Sequence, residues 1–491
     1  MRLAELISVL GVLEAGGDLN IEATGLACDS RQVAPGHVFV AVPGHATDGH
    51  LFIPQALERG AAALVVERVE PEWAAKAAWA RVPDARRALA AAAAFFYGYP
   101  ARSLRLTGVT GTNGKTTTTH LTRAVYRQAG LATGLIGTIH TLVGDTVLPA
   151  ERTTPESLDL QRLWRRMVDS GVTHVVMEVS SHALRLGRVA PADFTAAVFT
   201  NLTQDHLDFH RDMEDYFAAK ALLFTGLPPG GLAVINADDP WGRRLAEMCG
   251  ERAVTYGVEG GTVRAGGVAV EARGASFRVA SPWGGFPLRL KLTGLFNVYN
   301  ALAAAAAGLA QGIEADAVRA GLEAVSGVAG RFERVDGGQD FTVIIDYAHT
   351  PDGLENVLRA ARRVTEGRVI SVFGCGGDRD QGKRPLMGRI SGELADFTIV
   401  TSDNPRTEDP LAIIAAIEAG TRAVTARYSI VPDRREAIRA ALEMARSGDI
   451  VLIAGKGHED YQIIGMTKCP FDDRLVVREA LAEMGYVENN A

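Results

Sequence analysis

Short apolar runs alternate with longer amphipathic ones along this 491-residue chain. In the opening MRLAELISVLGVLEAGG, Leu3, Leu6, Ile7 and Leu10 fall at helical spacing with Glu5 inside the run. That predicts an amphipathic first helix, not a secretion signal, whose core would be uncharged. HVFVAV (37–42) has strand character, and IPQALERGAAALVVE (53–67) has helical character. Gly98 and Pro100 in YGYPARS mark a first break. Beyond it, THVVMEV (173–179), TAAVFTNL (195–202) and GLAVINA (231–237) are expected to be buried strands. Residues 155–168 are expected to form a helix with Leu160, Leu163, Trp164 and Met167 inward, Thr154 as its cap and Pro155 in its first turn. An Ala-rich helix from Asn300 to Ala310 precedes a second break near GVAGRFERV (327–335). Four more apolar runs follow, TVIIDYAH, VISVFGCGG, FTIVTSDN and IVLIAGKG, each ending in polar or glycine residues. This alternation predicts an α/β protein of three domains, residues 1–98, 99–330 and 331–491. Ligands of open parallel sheets bind beyond the carboxyl ends of the strands, where those polar residues lie.

Composition narrows the function. Hydrophobic residues make up 47 % of the chain, enough for sizeable cores and too many for a disordered or collagen-like chain. Lys and Arg number 51 against 58 Asp and Glu, so a broadly basic nucleic-acid-binding surface is not expected. Anionic small molecules remain possible where basic groups are focused. Cys28, Cys249, Cys375 and Cys469 have no CxxC spacing, which points to neither a zinc finger nor a disulfide framework. The longest apolar run, Ala88 to Tyr97, is too short to span a membrane. A soluble cytoplasmic protein is expected.

The strongest chemical signal is LTGVTGTNGKTTTTHLTRAVYRQAG (106–130). A strand runs into a glycine-rich turn, and the following helix carries Leu121, Ala124 and Val125 inward until Gly130. Backbone amides of Gly111, Thr112, Asn113, Gly114 and Lys115 can wrap a polyphosphate at the positive end of that helix. Lys115 would reach the terminal phosphates, Thr116 suits a magnesium ligand, and Thr117 follows it. The strict GxxxxGK[ST] pattern would have glycine where this chain has Val109. ATP or GTP binding is expected.

The variant TGTNGKT, following an N-terminal domain of this length, resembles the Mur ligase family, which includes the folylpolyglutamate synthetases. The resemblance implies ATP as co-substrate, a central P-loop-type parallel or mixed sheet flanked by helices, a C-terminal Rossmann-like α/β domain and a smaller N-terminal α/β domain. MEVSSHAL (177–184) puts Glu178 at a buried strand end, and FTNLTQDHLDFH (199–210) gathers Asn201, Asp205, His206, Asp208 and His210. On residue types alone these are a capped polar loop, a zinc site or a magnesium site sharing phosphate oxygens. The resemblance implies magnesium, with Thr116, Glu178, His206 and Lys220 as ligands. Lys220, in DYFAAKALLF, would otherwise be a snorkelling or salt-bridged lysine; the resemblance implies that it is carbamylated. Lys115, Lys220 and His206 are then the catalytic candidates. Asn297 and Asn300 in GLFNVYN, Arg331 in GRFE and Asp346 in IIDYAH correspond to further ATP contacts of the family.

Both ends of the chain carry acceptor and donor motifs. DSRQVAPGHVFVAVPGHATDGHLF (29–52) is similar to the nucleotide-sugar segment of the family, with Ser30 and His45 meeting the UDP portion. Thr153 and Thr154 in ERTTP, with Ser180 and Arg188, would meet a muramoyl-dipeptide. GCGGDRDQGKRPLMG (374–388) superficially offers a dinucleotide fingerprint, but its third glycine falls at Arg379, which argues against NAD. The resemblance places Arg379 on the incoming amino acid instead. TSDNPRTEDP (401–410) could be an ordinary Asx-Pro turn. In the family, Asp403, Asn404, Pro405 and Arg406 form the motif of members that add meso-diaminopimelate. A guanidinium can hold that molecule's second carboxylate by paired hydrogen bonds, which lysine could not use. AGKGHEDYQ (454–462) adds Gly455 and Glu459, the latter suited to an ammonium group.

The resemblance therefore implies an ADP-forming ligase of peptidoglycan precursor synthesis. Its substrates would be ATP, UDP-N-acetylmuramoyl-L-alanyl-D-glutamate and meso-diaminopimelate, joined through an acyl phosphate with Mg2+ present. It would act as a monomer, without nucleic acid or a membrane span. Two alternatives stay open: a lysine-adding member, or a P-loop ATPase switch without ligase activity. No general base stands out.

Overall fold

The computed structural model describes residues 1–44 and 47–486, so His45 lies outside the described residues. The chain forms two compact units, one of Met1–Thr110, Gly130–Val198 and Ala219–Ala233, the other of Gly111–Ala129, Phe199–Ala218 and Val234–Ala491.

In the first unit, a five-stranded sheet runs in the order Glu14–Gly16, Ala78–Arg81, Ala63–Val66, His37–Val40, Gly25–Ala27, parallel except at its first edge. Alternation along His37–Val40 sends Val38 and Val40 to one core with Leu3, Leu6, Leu89 and Ala93, and Phe39 to another with Ile53, Leu64 and Trp73. The helix Ala85–Phe96 is started by Asp84, whose carboxylate accepts from the amides of Arg86 and Arg87. Two expectations need correction. The 53–67 run is a short helix, Ile53–Glu58, then a strand, Ala63–Val66, because Gly60 at φ +91° ends the helix and the β-branched tail enters the sheet. The opening helix is also brief, Leu3–Ile7.

The same unit holds a second sheet portion in which Arg105–Thr110 lies between Phe194–Phe199 and His174–Glu178. Thr133–Ile136 follows in parallel, and the antiparallel strands His140–Val143 and Thr146–Pro149 complete it. Glu178 pairs with Val109, so the position that lacks the expected glycine is an interior strand residue. The helix Ser157–Asp169 buries Leu158, Leu160, Trp164 and Met167, with Leu163 half-buried. It starts after Pro155 because the Thr154 hydroxyl donates to the Glu178 carbonyl instead of capping.

In the second unit the helix Lys115–Gln128 packs against Leu295–Ala310 and Ala315–Ala324. Gly308 and Gly321 permit this, since a Cβ there would lie 2.8 and 2.7 Å from Val125 atoms. An antiparallel ribbon, Val263–Glu271, Gly274–Ser281 and Gly284–Leu290, was not anticipated. The C-terminal sheet runs Glu333–Val335, Thr342–Asp346, Ile450–Ala454, Val369–Phe373, Phe397–Val400, Tyr428–Ile430, parallel except at the first strand. Its four central strands are the four expected apolar runs. Leu354, Met387 and Ile414 cover one face, and Ile438, Val477 and Leu481 the other. This doubly wound layering leaves the carboxyl strand ends open for ligands. Among the described residues no helix is long and apolar enough to cross a membrane.

Candidate active site

The phosphate loop is pinned from behind. Gly111 has φ +145°, and a Cβ on it would lie 1.8 Å from Thr200 Oγ1. That hydroxyl donates to the Asn113 carbonyl at 2.6 Å, while the Asn113 amide donates to Asn201 Oδ1 at 2.9 Å. Thr112 Oγ1 donates to the Thr203 carbonyl at 3.1 Å. Gly114, at φ +86°, leaves room for Asn300, whose Oδ1 would meet a Cβ at 2.4 Å. Lys115 Nζ is folded onto the Gly111 and Thr112 carbonyls at 2.9 and 2.8 Å. An incoming phosphate would exchange those neutral acceptors for charged ones, a stronger hydrogen bond. Thr117 is buried behind the loop.

Around this loop stand the other expected nucleotide residues. Arg331 Nη2 donates to Thr116 Oγ1 at 2.8 Å, and its guanidinium lies 4.6 Å from the centre of the Tyr347 ring. Asn300 Nδ2 donates to Asn297 Oδ1 at 3.1 Å, and Asn297 Nδ2 to the Thr293 carbonyl. The two asparagines therefore brace the loop from the helix start. Asp346 accepts from the amides of Phe332 and Ala348 at 2.6 and 2.7 Å; burial pushes its carboxyl up to about 6 against the pull of Arg331 and those amides. His206 has φ +55°, and its Nε2 lies 3.3 Å from Asp205 Oδ2. Burial raises the Asp205 carboxyl, but His206, His349 and Lys383 outweigh it and hold it low. His349 is held down to about 4 by burial and by Lys383.

In the first unit, Thr153, Thr154, Ser180 and Arg188 gather at the end of Glu178's strand. Glu178 Oε1 accepts from the Thr138 amide at 2.8 Å and Oε2 from its hydroxyl at 3.1 Å. Thr138 Oγ1 also lies 3.1 Å from Thr153 Oγ1. Thr154 Oγ1 accepts from the Ser180 amide at 3.0 Å. Arg188 Nη1 donates to the Thr154 carbonyl and Nη2 pairs with Glu156 at 2.8 Å. Burial lowers the pKa of Arg188. Ser30 donates to Gln55 Oε1 at 2.6 Å and belongs to the N-terminal sheet's own loops. Lys220 is fully buried on the helix Met213–Thr225.

The third cluster sits on the C-terminal sheet. Glycines 374, 376 and 377 hold the DNPR segment: their Cβ atoms would lie 2.3 Å from the Thr401 carbonyl, 2.9 Å from Arg406 Nη1 and 1.9 Å from the Pro405 carbonyl. These glycines serve backbone contact, not a dinucleotide turn. Arg406, at φ +52°, donates through Nη1 to the Gly377 carbonyl at 2.7 Å. Burial, then repulsion from Arg379, lowers the Arg406 pKa. The two guanidiniums thus share one region with Asp378, whose carboxyl is held low by its hydrogen bonds from Thr407 and then by both arginines. Asn404 Nδ2 donates to Glu459 Oε2 at 2.8 Å. Gly455, at φ +115°, lets Asp403 approach, since a Cβ there would lie 2.4 Å from Asp403 Oδ2.

Known proteins match in this same order. The Mur ligase family catalytic domain matches residues 22–97, the Mur ligase middle domain 109–308, and the Mur ligase glutamate ligase domain 330–457. A UDP-N-acetylmuramoyl-L-alanyl-D-glutamate–2,6-diaminopimelate ligase of Geobacter metallireducens is 51 % identical, with 99 % of each chain covered. The chain belongs to the Mur ligase family. A ligase of the same name from Geobacillus kaustophilus is 50 % identical over 99 % of this chain and 100 % of its own. A solved structure with that name superposes with a TM-score of 0.68 at 33 % identity, covering 99 % of this chain and 100 % of its own. The MurF ligase of Thermotoga maritima, solved with ADP, shares the fold at 20 % identity, with a TM-score of 0.64 and 96 % and 98 % coverage.

As a Mur ligase, the chain brings together its expected phosphate, dipeptide and amino-acid residues in three separate groups. Among the described residues no three His, Cys, Asp or Glu side chains stand close enough to hold a metal, as a closed zinc site would require. Thr116 in the second unit and Glu178 in the first are each buried oxygen donors, the donor type that hard cations take. Several site residues escaped the sequence. Asp352 accepts from Asn113 Nδ2 at 2.6 Å and from Thr203 Oγ1 at 3.3 Å. Thr138 secures Glu178, and Lys456 lies beneath Glu459. Each is an ordinary residue type without a local pattern; only the GKG following a strand hinted at Lys456.

Proposed function

We propose that this Mur ligase joins meso-diaminopimelate to the D-glutamate γ-carboxylate of UDP-N-acetylmuramoyl-L-alanyl-D-glutamate, forming ADP, in the cytoplasm. The observation that carries the reading is the C-terminal cluster. Arg379, Asp403 and Glu459 all stand near Arg406, and this mixture of guanidiniums and carboxylates fits an amino acid bearing an extra carboxylate and an ammonium. The matched relatives bear the name of that activity. We assign the sugar nucleotide to residues 1–98, ATP to 99–330 and the amino acid to 331–491.

In the first step the γ-carboxylate attacks the γ-phosphate of ATP. Two anions must meet, so Lys115 leaves its loop carbonyls for the phosphates and Arg331 adds positive charge beside Thr116. The loop amides of residues 111–115 hold the phosphate chain, with Asn297 and Asn300 bracing them. Arg188 and the hydroxyls of Thr153, Thr154 and Ser180 orient the dipeptide. Thr116, Glu178, His206 and a carbamylated Lys220 would hold magnesium, which would supply neutralisation of developing charge. A neutral, desolvated lysine reacts with carbon dioxide, and burial of Lys220 provides that desolvation. In the second step the amine attacks the acyl carbon and phosphate leaves.

ADP release, measured with each substrate omitted in turn, tests this. Release should require the UDP-dipeptide and the amine together. Undiminished release without any amine would favour the ATPase-switch alternative.

A further inference from the structure

Lys456 follows the strand Ile450–Ala454, and its side chain is wholly buried. Its Nζ donates to Asn404 Oδ1 at 3.1 Å and to Glu459 Oε2 at 3.0 Å. Asn404 Nδ2 donates to the same Oε2 at 2.8 Å, which closes a triangle of three side chains. The Ile463 amide donates to Asn404 Oδ1 at 2.9 Å and so fixes which way that amide faces. The Tyr461 ring centre lies 5.5 Å from Nζ. An ammonium is retained in such a place only when its hydrogen bonds and charge are matched.

The two carboxylate oxygens of Glu459 are not equivalent. Oε2 takes both Lys456 and Asn404, whereas Oε1 meets the Tyr461 hydroxyl at a long 3.5 Å. We propose that Lys456 is a positioning residue for the amino-acid substrate: by clamping Oε2 together with Asn404, it presents Oε1 to the substrate's ammonium group. The proposal rests on the reading of Glu459 as the ammonium acceptor. Being wholly buried, Lys456 acts through Glu459 and Asn404 and does not touch the substrate.

The test uses the full-length enzyme and the variants Lys456→Met, Lys456→Gln and Glu459→Gln, with KM measured separately for meso-diaminopimelate, ATP and the UDP-dipeptide. Lys456→Met should raise the diaminopimelate KM by about tenfold or more, with the other two KM values held within about twofold and kcat changed less than that KM. Lys456→Gln keeps one donor and should fall between it and the parent. The double variant Lys456→Met/Glu459→Gln should be no worse than Glu459→Gln alone, because both changes remove one interaction. An unchanged diaminopimelate KM, an equal rise for all three substrates, or additive losses would overturn the proposal. Should Lys456→Met fail to fold, Lys456→Gln decides. Failure of both to fold would make the lysine a support of the core and also overturn it. Absence of any diaminopimelate-dependent turnover in the parent enzyme would instead sink the functional reading, and this proposal with it.

Discussion

Replacing Gly111 by alanine tests whether the phosphate loop needs its observed shape. The new methyl would lie 1.8 Å from Thr200 Oγ1 and 3.1 Å from the Asn201 backbone, at φ +145°. A backbone conformation reserved for glycine costs about 1–3 kcal/mol. Displacing Thr200 also removes its 2.6 Å bond to the Asn113 carbonyl, worth about 1 kcal/mol net. The sum, about 2–4 kcal/mol, corresponds to a fall of about 30- to 1000-fold in kcat/KM for ATP. Steady-state ADP release at varied ATP measures it. Gly130→Ala is the control: φ is +77° there too, but no atom stands within 4 Å of the added methyl. It should lower the melting temperature slightly and leave ATP kinetics alone. If Gly111→Ala kept kcat/KM for ATP within about threefold, the reasoning from loop geometry would be refuted.

Other outcomes follow from single groups. Arg406→Lys keeps the charge but loses the planar fork, so kcat/KM for meso-diaminopimelate should drop about 10- to 100-fold with the ATP KM unchanged; equal kinetics would contradict the carboxylate assignment. Arg434 and Asp473 form a fully buried bidentate pair at 2.8 and 2.7 Å. Arg434→Met should therefore destabilise the fold by about 3–5 kcal/mol in urea unfolding, and Arg434→Met/Asp473→Leu by much less. For Asp346, burial lifts the carboxyl from 3.8 to about 6, so the native state holds a proton that the unfolded chain has released. Its contribution favours folding below pH 4 and is lost as pH rises to 6, up to about 3 kcal/mol. Asp346→Asn should flatten that part of the stability–pH curve, and an unchanged slope would show that the group is not responsible.

The parts of this protein that its sequence disclosed are those whose physics is local. Val369–Phe373 and Ile450–Ala454 are buried on both faces, so they appear as unbroken apolar runs. Gly111 and Gly114 are needed by their own backbone angles, which makes the loop visible without its partners. The failures are non-local or interrupted. Thr154 looked like a helix cap, but its hydroxyl is taken by Glu178, twenty-four residues on. The alternation of Phe286, Leu288 and Leu290 is present in the ribbon but is cut by glycines into pieces too short to stand out. Asp352 meets Asn113 across 239 residues, and nothing near either announces the other. Lys456 resembles a surface lysine until Asn404 and Glu459 are seen around it. The motifs to which three substrates are assigned above were legible in the sequence; the residues that hold those motifs in place were not.

The central claim is that the C-terminal cluster selects an amino acid with a second carboxylate. The most direct measurement is kcat/KM for meso-diaminopimelate against L-lysine, at saturating ATP and UDP-dipeptide. A site built for a hydrogen-bonded group rejects an analogue lacking it strongly, so diaminopimelate should be preferred by about a thousandfold or more. Equal values for the two amines would contradict the account.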